Sequence, residues 1–169
     1  MTDMLNHRNY AIEPMTGADI AAIERLESEG GLTHWGADCY RRDLGRTEFI
    51  LLVARLQPGL AQAGEIAGFL NAWLVADEFQ LNNLAVSAAW RRCGIGSALL
   101  EAALRQARAQ GAVRGVLDVR AANVAAQALY QSLGFRTVGV RKNYYHHPSD
   151  DALLMAAQLR LSGAVRPPL

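Results

Sequence analysis

Strand and helix signals in the order β-αα-βββ-αβ-αβ-β predict an α/β fold, with a mixed sheet of six or seven strands flanked by about four helices. Three observations carry that reading. Apolar runs rich in β-formers recur, led by Phe49–Leu56. An Ala/Leu/Arg/Gln stretch at 97–110 has high helix propensity and is followed by Gly111, where a helix-ending glycine belongs. Gly30-Gly31, Gly45, Pro58-Gly59 and Gly134 punctuate the remaining segments.

Taken in order, Tyr10 to Met15 is partly apolar, and Pro14 limits it to an edge strand. Thr16 stands three residues before Asp19 like a capping box, and Ile20, Ile23 and Leu26 follow at helical spacing up to Gly30-Gly31. A short helix runs from Asp38 to Leu44. Strands follow at Phe49–Leu56, from about Glu65 to Val75, and at Leu81 to Val86. The loop Trp90 to Gly96 leads into the helix at 97–110, striped by Ile95, Leu99, Ala102 and Ala103. Gly115 to Val119 reads as a strand, and Asn123 as the N-cap of a helix through Leu133. Phe135 to Val140 and Ala152 to Leu159 close the order as two strands joined by a polar, aromatic loop. Residues 1–161 are expected to form one domain, with 162–169 a frayed tail.

Composition narrows the function classes. Of 169 residues 51% are hydrophobic, enough for a sizeable core. Lys plus Arg number 17 against 16 Asp plus Glu, so there is no basic footprint and no nucleic-acid partner is expected. Uninterrupted apolar runs such as 49–54 are far too short to span a bilayer, and residues 1–8 have no signal-peptide character. Two cysteines, Cys39 and Cys93, give neither a disulfide framework nor zinc spacing, and the adjacent His146 and His147 lack ligand spacing; no metal is expected. The expectation is a cytoplasmic protein.

The loop from Arg91 to Gly96 is the strongest local signal. Gly94 and Gly96 let the backbone turn tightly and approach a ligand, and the helix that follows points free N–H groups and its positive dipole end at the loop. Such a mouth suits a phosphate or pyrophosphate; by itself it is equally a softened strand-to-helix turn.

Its surroundings decide more. Arg91-Arg92-Cys93-Gly94-Ile95-Gly96 has the form R-x-x-G-x-G, and Asn123 to Phe135 reads N-x-x-A-x-x-L-Y-x-x-x-G-F. In this order and spacing the chain resembles the GNAT superfamily of acetyl-CoA-dependent N-acetyltransferases. Arg141-Lys142-Asn143-Tyr144-Tyr145, with Asp150-Asp151-Ala152-Leu153-Leu154-Met155, is similar to the RimI-type ribosomal-protein alanine N-acetyltransferases. His34-Trp35 fits that group's proline-tryptophan region, with His34 in place of the usual proline. Similarity is dense from Leu81 to Leu159 and thin before Phe49.

The resemblance implies acetyl-CoA as co-substrate, and an acceptor that is the N-terminal segment of a protein, the alanine that begins the eighteenth small-subunit ribosomal protein. It implies that the backbone of Leu84, Ala85 and Val86 holds the pantetheine arm. Donors from Arg92, Cys93, Gly94, Ile95, Gly96 and Ser97 would carry the pyrophosphate. Asn123 would contact the CoA arm, and Tyr130 would serve the departing thiolate as acid. Asp118 stands where the family carries its glutamate base. Trp35, Tyr144 and Tyr145 are candidate walls of the acceptor pocket, although the tyrosines could equally be hairpin packing. Two other readings stay open: acetyl transfer to a small amine, and a non-catalytic acyl-CoA-binding module.

Asp is one methylene shorter than Glu, so it would reach the amine less directly, or through a water. The acceptor eases the task. An α-amine of pKa near 8 is about 10% neutral at pH 7, whereas a lysine is neutral only ~0.04% of the time, a difference of about 3 kcal/mol in proton removal. The bland alternative for Asp118 is a strand carboxylate satisfied by backbone donors or Arg120. For Tyr130, hydrogen-bond stabilisation of the thiolate fits better than full proton transfer, because a phenol near 10 is a weaker acid than a thiol near 8.5.

Overall fold

β4 and β5 form the one parallel pair of a seven-stranded sheet whose order is β1-β2-β3-β4-β5-β7-β6, and the functional geometry follows from it. The structure is a computed structural model that describes residues 9–32, 34–59 and 64–159. The strands are β1 (Tyr10–Pro14), β2 (Phe49–Leu56), β3 (Ile66–Val75), β4 (Glu78–Val86), β5 (Arg114–Arg120), β6 (Arg136–His146) and β7 (Ser149–Gln158). The helices are α1 (Ile20–Gly30), α2 (Ala37–Asp43), α3 (Ile95–Ala109) and α4 (Val124–Ser132), with short 3-10 turns at Gly17–Asp19 and Ala88–Trp90. The expected tail at 162–169 lies outside the described residues.

Helices cover both faces of the sheet. On one face Ile95, Leu99, Ala103 and Leu104 of α3 and Tyr130 of α4 pack against Ile50, Leu52, Leu70 and Leu117. On the other, Ile20, Ile23 and Leu26 of α1 and Tyr40 of α2 pack against Leu51, Val53 and Phe69. β2 is therefore buried on both sides, which is why it reads as a continuous apolar run rather than an alternation.

Local signals explain most boundaries. Thr16 N–H and hydroxyl both donate to Asp19 Oδ2 at 2.8 Å, closing the capping box before α1. Asn123 Oδ1 accepts Ala126 N–H at 3.1 Å and starts α4. Gly111 ends α3 at φ +94°. Among the described residues no helix is long and apolar enough to cross a membrane.

Several boundaries differ from the sequence reading, three of them with consequence for the site or the sheet. β4 begins at Glu78, because Glu78 pairs with Arg114 of β5 at 3.3 Å and keeps a polar stretch in the ladder. α3 begins at Ile95, two residues early, so Gly96 lies within its first turn. The largest correction is the polar, aromatic segment after Val140, which is strand and not loop: β6 continues to His146 and pairs with β7 through Tyr145↔Asp150 and His146↔Ser149. It has no apolar alternation because β6 is an exposed edge. Its charge is met locally, with Lys142 Nζ 2.7 Å from Asp151 Oδ2 and Asn143 N–H donating to Asp151 Oδ1 at 2.9 Å.

Candidate active site

The parallel ladder stops early. β4 and β5 pair from Glu78↔Arg114 to Leu81↔Leu117 and then part. A bulge at Asn82, where Asn71↔Asn83 is followed by Ala72↔Leu81, sharpens the twist at the same point. Beyond it β4 stays paired with β3 through Leu70↔Leu84, Phe69↔Ala85 and Gly68↔Val86. Leu84, Ala85 and Val86 thus border an opening on the β5 side, an edge along which an amide-bearing chain can add as a strand does.

The base of the opening is the start of α3. Gly94 is its N-cap at φ +78°, so no side chain caps the first-turn amides, and no acidic residue opposes the dipole there. Arg92 is also left-handed, at φ +65°, and the two residues curl the backbone around Cys93 in the manner of an anion nest. Cys93 Sγ lies 3.6 Å from Arg91 carbonyl oxygen, and the thiol is exposed. Gly96 has a further role that the sequence did not disclose. A Cβ there would lie 3.2 Å from Leu129 Cδ2, so its bareness lets α4 pack closely on α3.

Beyond the splay, β5 alternates, placing Leu117 and Val119 in the α3 face and Asp118 on the α1 face. Asp118 is 26% exposed in its side chain, yet its Oδ1 is buried without a hydrogen-bond partner. Arg141 Nε stands 3.6 Å away, a charge contact longer than a hydrogen bond. Arg120 does not satisfy Asp118; its guanidinium donates to the carbonyls of Pro148 at 2.9 Å and His147 at 3.2 Å and lies 4.0 Å over the Tyr145 ring. Tyr145 and Tyr144 meet edge-on at 5.2 Å. Burial, and then the nearby charge of Asp118, push the Tyr145 phenol upward.

Tyr130 is 7% exposed and meets Phe135 edge-on at 6.2 Å. Burial, and then its electrostatic coupling to Tyr145, hold its phenol well above the usual range. Asn123 spends its Oδ1 on the α4 cap, which leaves its amide nitrogen as the group available to a ligand. Trp35 is half-buried, its ring N–H donating to Asp43 Oδ2 at 3.0 Å. Among the described residues, no three His, Cys, Asp or Glu side chains gather as a metal site.

Sequence reasoning missed a buried polar cluster on the α1 face. Glu27 is fully buried, and its Oε1 accepts from Tyr40 hydroxyl at 2.5 Å, Asn83 Nδ2 at 3.0 Å and Trp35 N–H at 3.3 Å. A signal was available: Glu27 falls one turn after Ile23 on the apolar stripe, where a charge demands partners. Burial, and then Glu27, drive the Tyr40 phenol far above its normal range.

Comparison with known proteins agrees with this fold. Residues 20–135 match the model of the Acetyltransferase (GNAT) family. The chain belongs to that family. As a GNAT acetyltransferase it is an acetyl-CoA-dependent N-acetyltransferase, as the paired motifs implied. A ribosomal protein bS18-alanine N-acetyltransferase of Salmonella typhimurium is 40% identical over 152 residues, covering 89% of this chain and 98% of that relative. The enzyme of the same name from Escherichia coli K12 is 32% identical over the same length and coverage. The crystal structure of the ribosomal-protein-S18-alanine N-acetyltransferase from Escherichia coli superposes with a TM-score of 0.78 at 30% identity, covering 94% of this chain and 99% of that one. In this GNAT member the β4–β5 edge stands open beside the uncapped mouth of α3.

Proposed function

We propose that this GNAT enzyme moves acetyl from acetyl-CoA to the N-terminal α-amine of a protein, the alanine of a small-subunit ribosomal protein, in the cytoplasm. The observation that carries the reading is the Asp118 carboxylate just past the end of the β4–β5 ladder, with its Oδ1 buried and without a hydrogen-bond partner. Likeness over nearly the whole length of bS18-alanine N-acetyltransferases supports the choice of acceptor.

In this reading the backbone of Leu84, Ala85 and Val86 holds the pantetheine arm, and the amides from Arg92 to Ser97 hold the pyrophosphate. Asn123 adds its amide nitrogen. Asp118 removes a proton from the α-amine, directly or through a water. The amine attacks the thioester carbonyl, and Tyr130, kept protonated by burial, hydrogen-bonds the sulfur as charge develops. Trp35, Tyr144 and Tyr145 wall the acceptor's first residues. Their aromatic faces suit a peptide end better than a compact polyamine.

The test is CoA release and mass spectrometry with a short alanine-starting ribosomal peptide, its N-terminally blocked lysine-containing counterpart, and a panel of small amines. Acetylation confined to the free α-amine is the expected result. Equal turnover of the blocked peptide, or preference for a small amine, overturns the acceptor assignment.

A further inference from the structure

Glu27 and His34 form a pair on the side of the opening opposite β5, and no step above uses them. His34 Nδ1 lies 3.4 Å from Glu27 Oε2, an oxygen that is buried and has no hydrogen-bond partner. The imidazole itself is 59% exposed. Its Nε2 stands 3.4 Å from Ser28 Oγ, and that hydroxyl donates its own hydrogen to Glu24 carbonyl oxygen at 3.1 Å. The ring thus has Glu27 Oε2 facing one nitrogen and Ser28 Oγ facing the other.

The pair is anchored to the acyl-binding strand. Glu27 Oε1 holds Asn83 of β4, next to Leu84, and the α1 end lies so close that a Cβ on Gly30 would be 3.8 Å from Ala85 Cβ. Leu32 and Trp35, on either side of His34, pack with Ala85 in one cluster. Asp118 is on the same face of the sheet, across the opening. The other charged groups of this corner are engaged elsewhere: Glu24 Oε1 accepts Ala37 N–H, and Asp43 holds Trp35, Arg42 and Arg46.

We propose that His34, oriented by Glu27, is a second proton acceptor for the incoming amine, working from the α1 side and offsetting the short reach of Asp118. The inference rests on the acyl-transfer reading above. With its hydrogen on Nδ1, toward Glu27 Oε2, the ring turns its Nε2 lone pair toward Ser28 Oγ, a 3.4 Å contact that the incoming amine displaces. The amine gives one proton to Nε2 as its nitrogen lone pair forms the C–N bond to the acetyl carbon. The C–S bond breaks, and the thiolate takes back a proton through solvent, so that none is retained by the enzyme. Hydrogen bonds of this kind are commonly long before substrate binds and shorten in the complex.

Two measurements on the full chain test it. The ¹⁵N shifts of the neutral His34 ring should report the Nδ1–H tautomer in the wild type and its loss in Glu27→Gln; an Nε2–H tautomer in the wild type overturns the proposal. The pH profile of kcat/KM on the alanine-starting peptide is the second. His34→Gln should lower kcat/KM at least tenfold at neutral pH, with KM for acetyl-CoA unchanged, and the loss should narrow at alkaline pH. Combining it with Asp118→Asn should remove turnover that Asp118→Asn alone retains. A His34→Gln profile overlaying the wild type overturns the proposal, and because His34 is exposed this variant does not depend on the buried carboxylate. If the wild type acetylates no peptide, the acceptor reading has failed instead, and the ring tautomer decides the pair.

Discussion

Arg141 of β6 reaches over the intervening strand β7 to set its guanidinium Nε 3.6 Å from Asp118 Oδ1 on β5. The contact is too long for a hydrogen bond, and it leaves a buried carboxylate oxygen unsatisfied beside the opening of the sheet. A native protein seldom leaves such an atom unused, because burying an unbonded acceptor costs about 1–3 kcal/mol. A proton donor that arrives only with substrate resolves the conflict, and the acceptor's ammonium is one.

Asp118→Asn should therefore lower kcat/KM on an α-amine peptide by about 10²–10⁴, the usual range for a general base. The loss should shrink as pH rises toward 9, where the amine deprotonates in solution. Asp118→Glu should keep or raise the rate, since it restores the longer reach. Full pH profiles of the three proteins check this, and an Asn profile that overlays the wild type removes Asp118 from the chemistry.

Tyr130→Phe preserves the ring, so the edge contact with Phe135 and the burial survive. Stability should change by no more than about 1 kcal/mol, the net worth of a typical hydrogen bond. kcat should fall much further than KM for acetyl-CoA rises, because the hydroxyl is needed mainly as thiolate charge develops. Burial holds the phenol above its ordinary value near 10, so the hydroxyl stays protonated across the working range and contributes no alkaline limb below that pH. Undiminished turnover in Tyr130→Phe would return the residue to core packing.

The α3 mouth can be tested apart from packing. Gly96→Ala alone confounds the two, since its methyl would press on Leu129 Cδ2 at 3.2 Å. Leu129→Ala opens that space, and in its background Gly96→Ala should be neutral or slightly stabilising, as alanine favours a helix over glycine. The rise in melting temperature produced by acetyl-CoA should nevertheless be smaller in the double variant than in Leu129→Ala. Pantetheine should stabilise less than acetyl-CoA in the wild type, because it leaves the helix mouth empty. An equal acetyl-CoA shift in the two variants would make Gly96 a packing glycine alone.

The site and the sheet were legible in the sequence to different degrees. The order of elements and the α4 cap followed from local chemistry that Asn123, Gly111 and the apolar runs express by themselves. The two motifs, each a contiguous stretch, drew attention to the α3 mouth and Tyr130, and the resemblance they carry drew it to Asp118 between them. What escaped was set by contacts distant in sequence. Glu27 joins Asn83 and Tyr40 only after α1 has docked on β3 and β4, and Arg141 meets Asp118 only across β7. The strand character of Arg141 to His146 was hidden for another reason. An edge strand exposed on both faces needs no apolar alternation, and its pairing with β7 is a backbone matter to which the side chains give no clue.

Asp43 offers the last test, of how Trp35 is held. Its carboxylate is fully buried although Arg42 and Arg46 beside it are about half exposed. Burial pushes the carboxyl upward, but hydrogen bonds from Arg42 and the Trp35 ring, with the charges of both arginines, outweigh it and hold the group below its ordinary value of 3.8. A carboxyl depressed in the folded state contributes stability that is present above its unfolded value and is lost as pH falls through the folded one. Asp43 should therefore favour the fold at all pH values above about 4 and cease to do so in stronger acid. Asp43→Asn should cost about 1.5–3 kcal/mol at pH 7, the range for hydrogen bonds to a charged group, with the solvated arginines keeping it from being larger. The same variant should flatten the stability curve below pH 4. If Trp35 walls the acceptor pocket, loosening its ring should raise KM for the peptide and leave KM for acetyl-CoA unchanged. Urea unfolding between pH 2.5 and 7 reads the first effect and steady-state kinetics the second. An Asp43→Asn protein with wild-type acid sensitivity would show that Asp43 is not the group that titrates, and an unchanged peptide KM would remove Trp35 from the acceptor site.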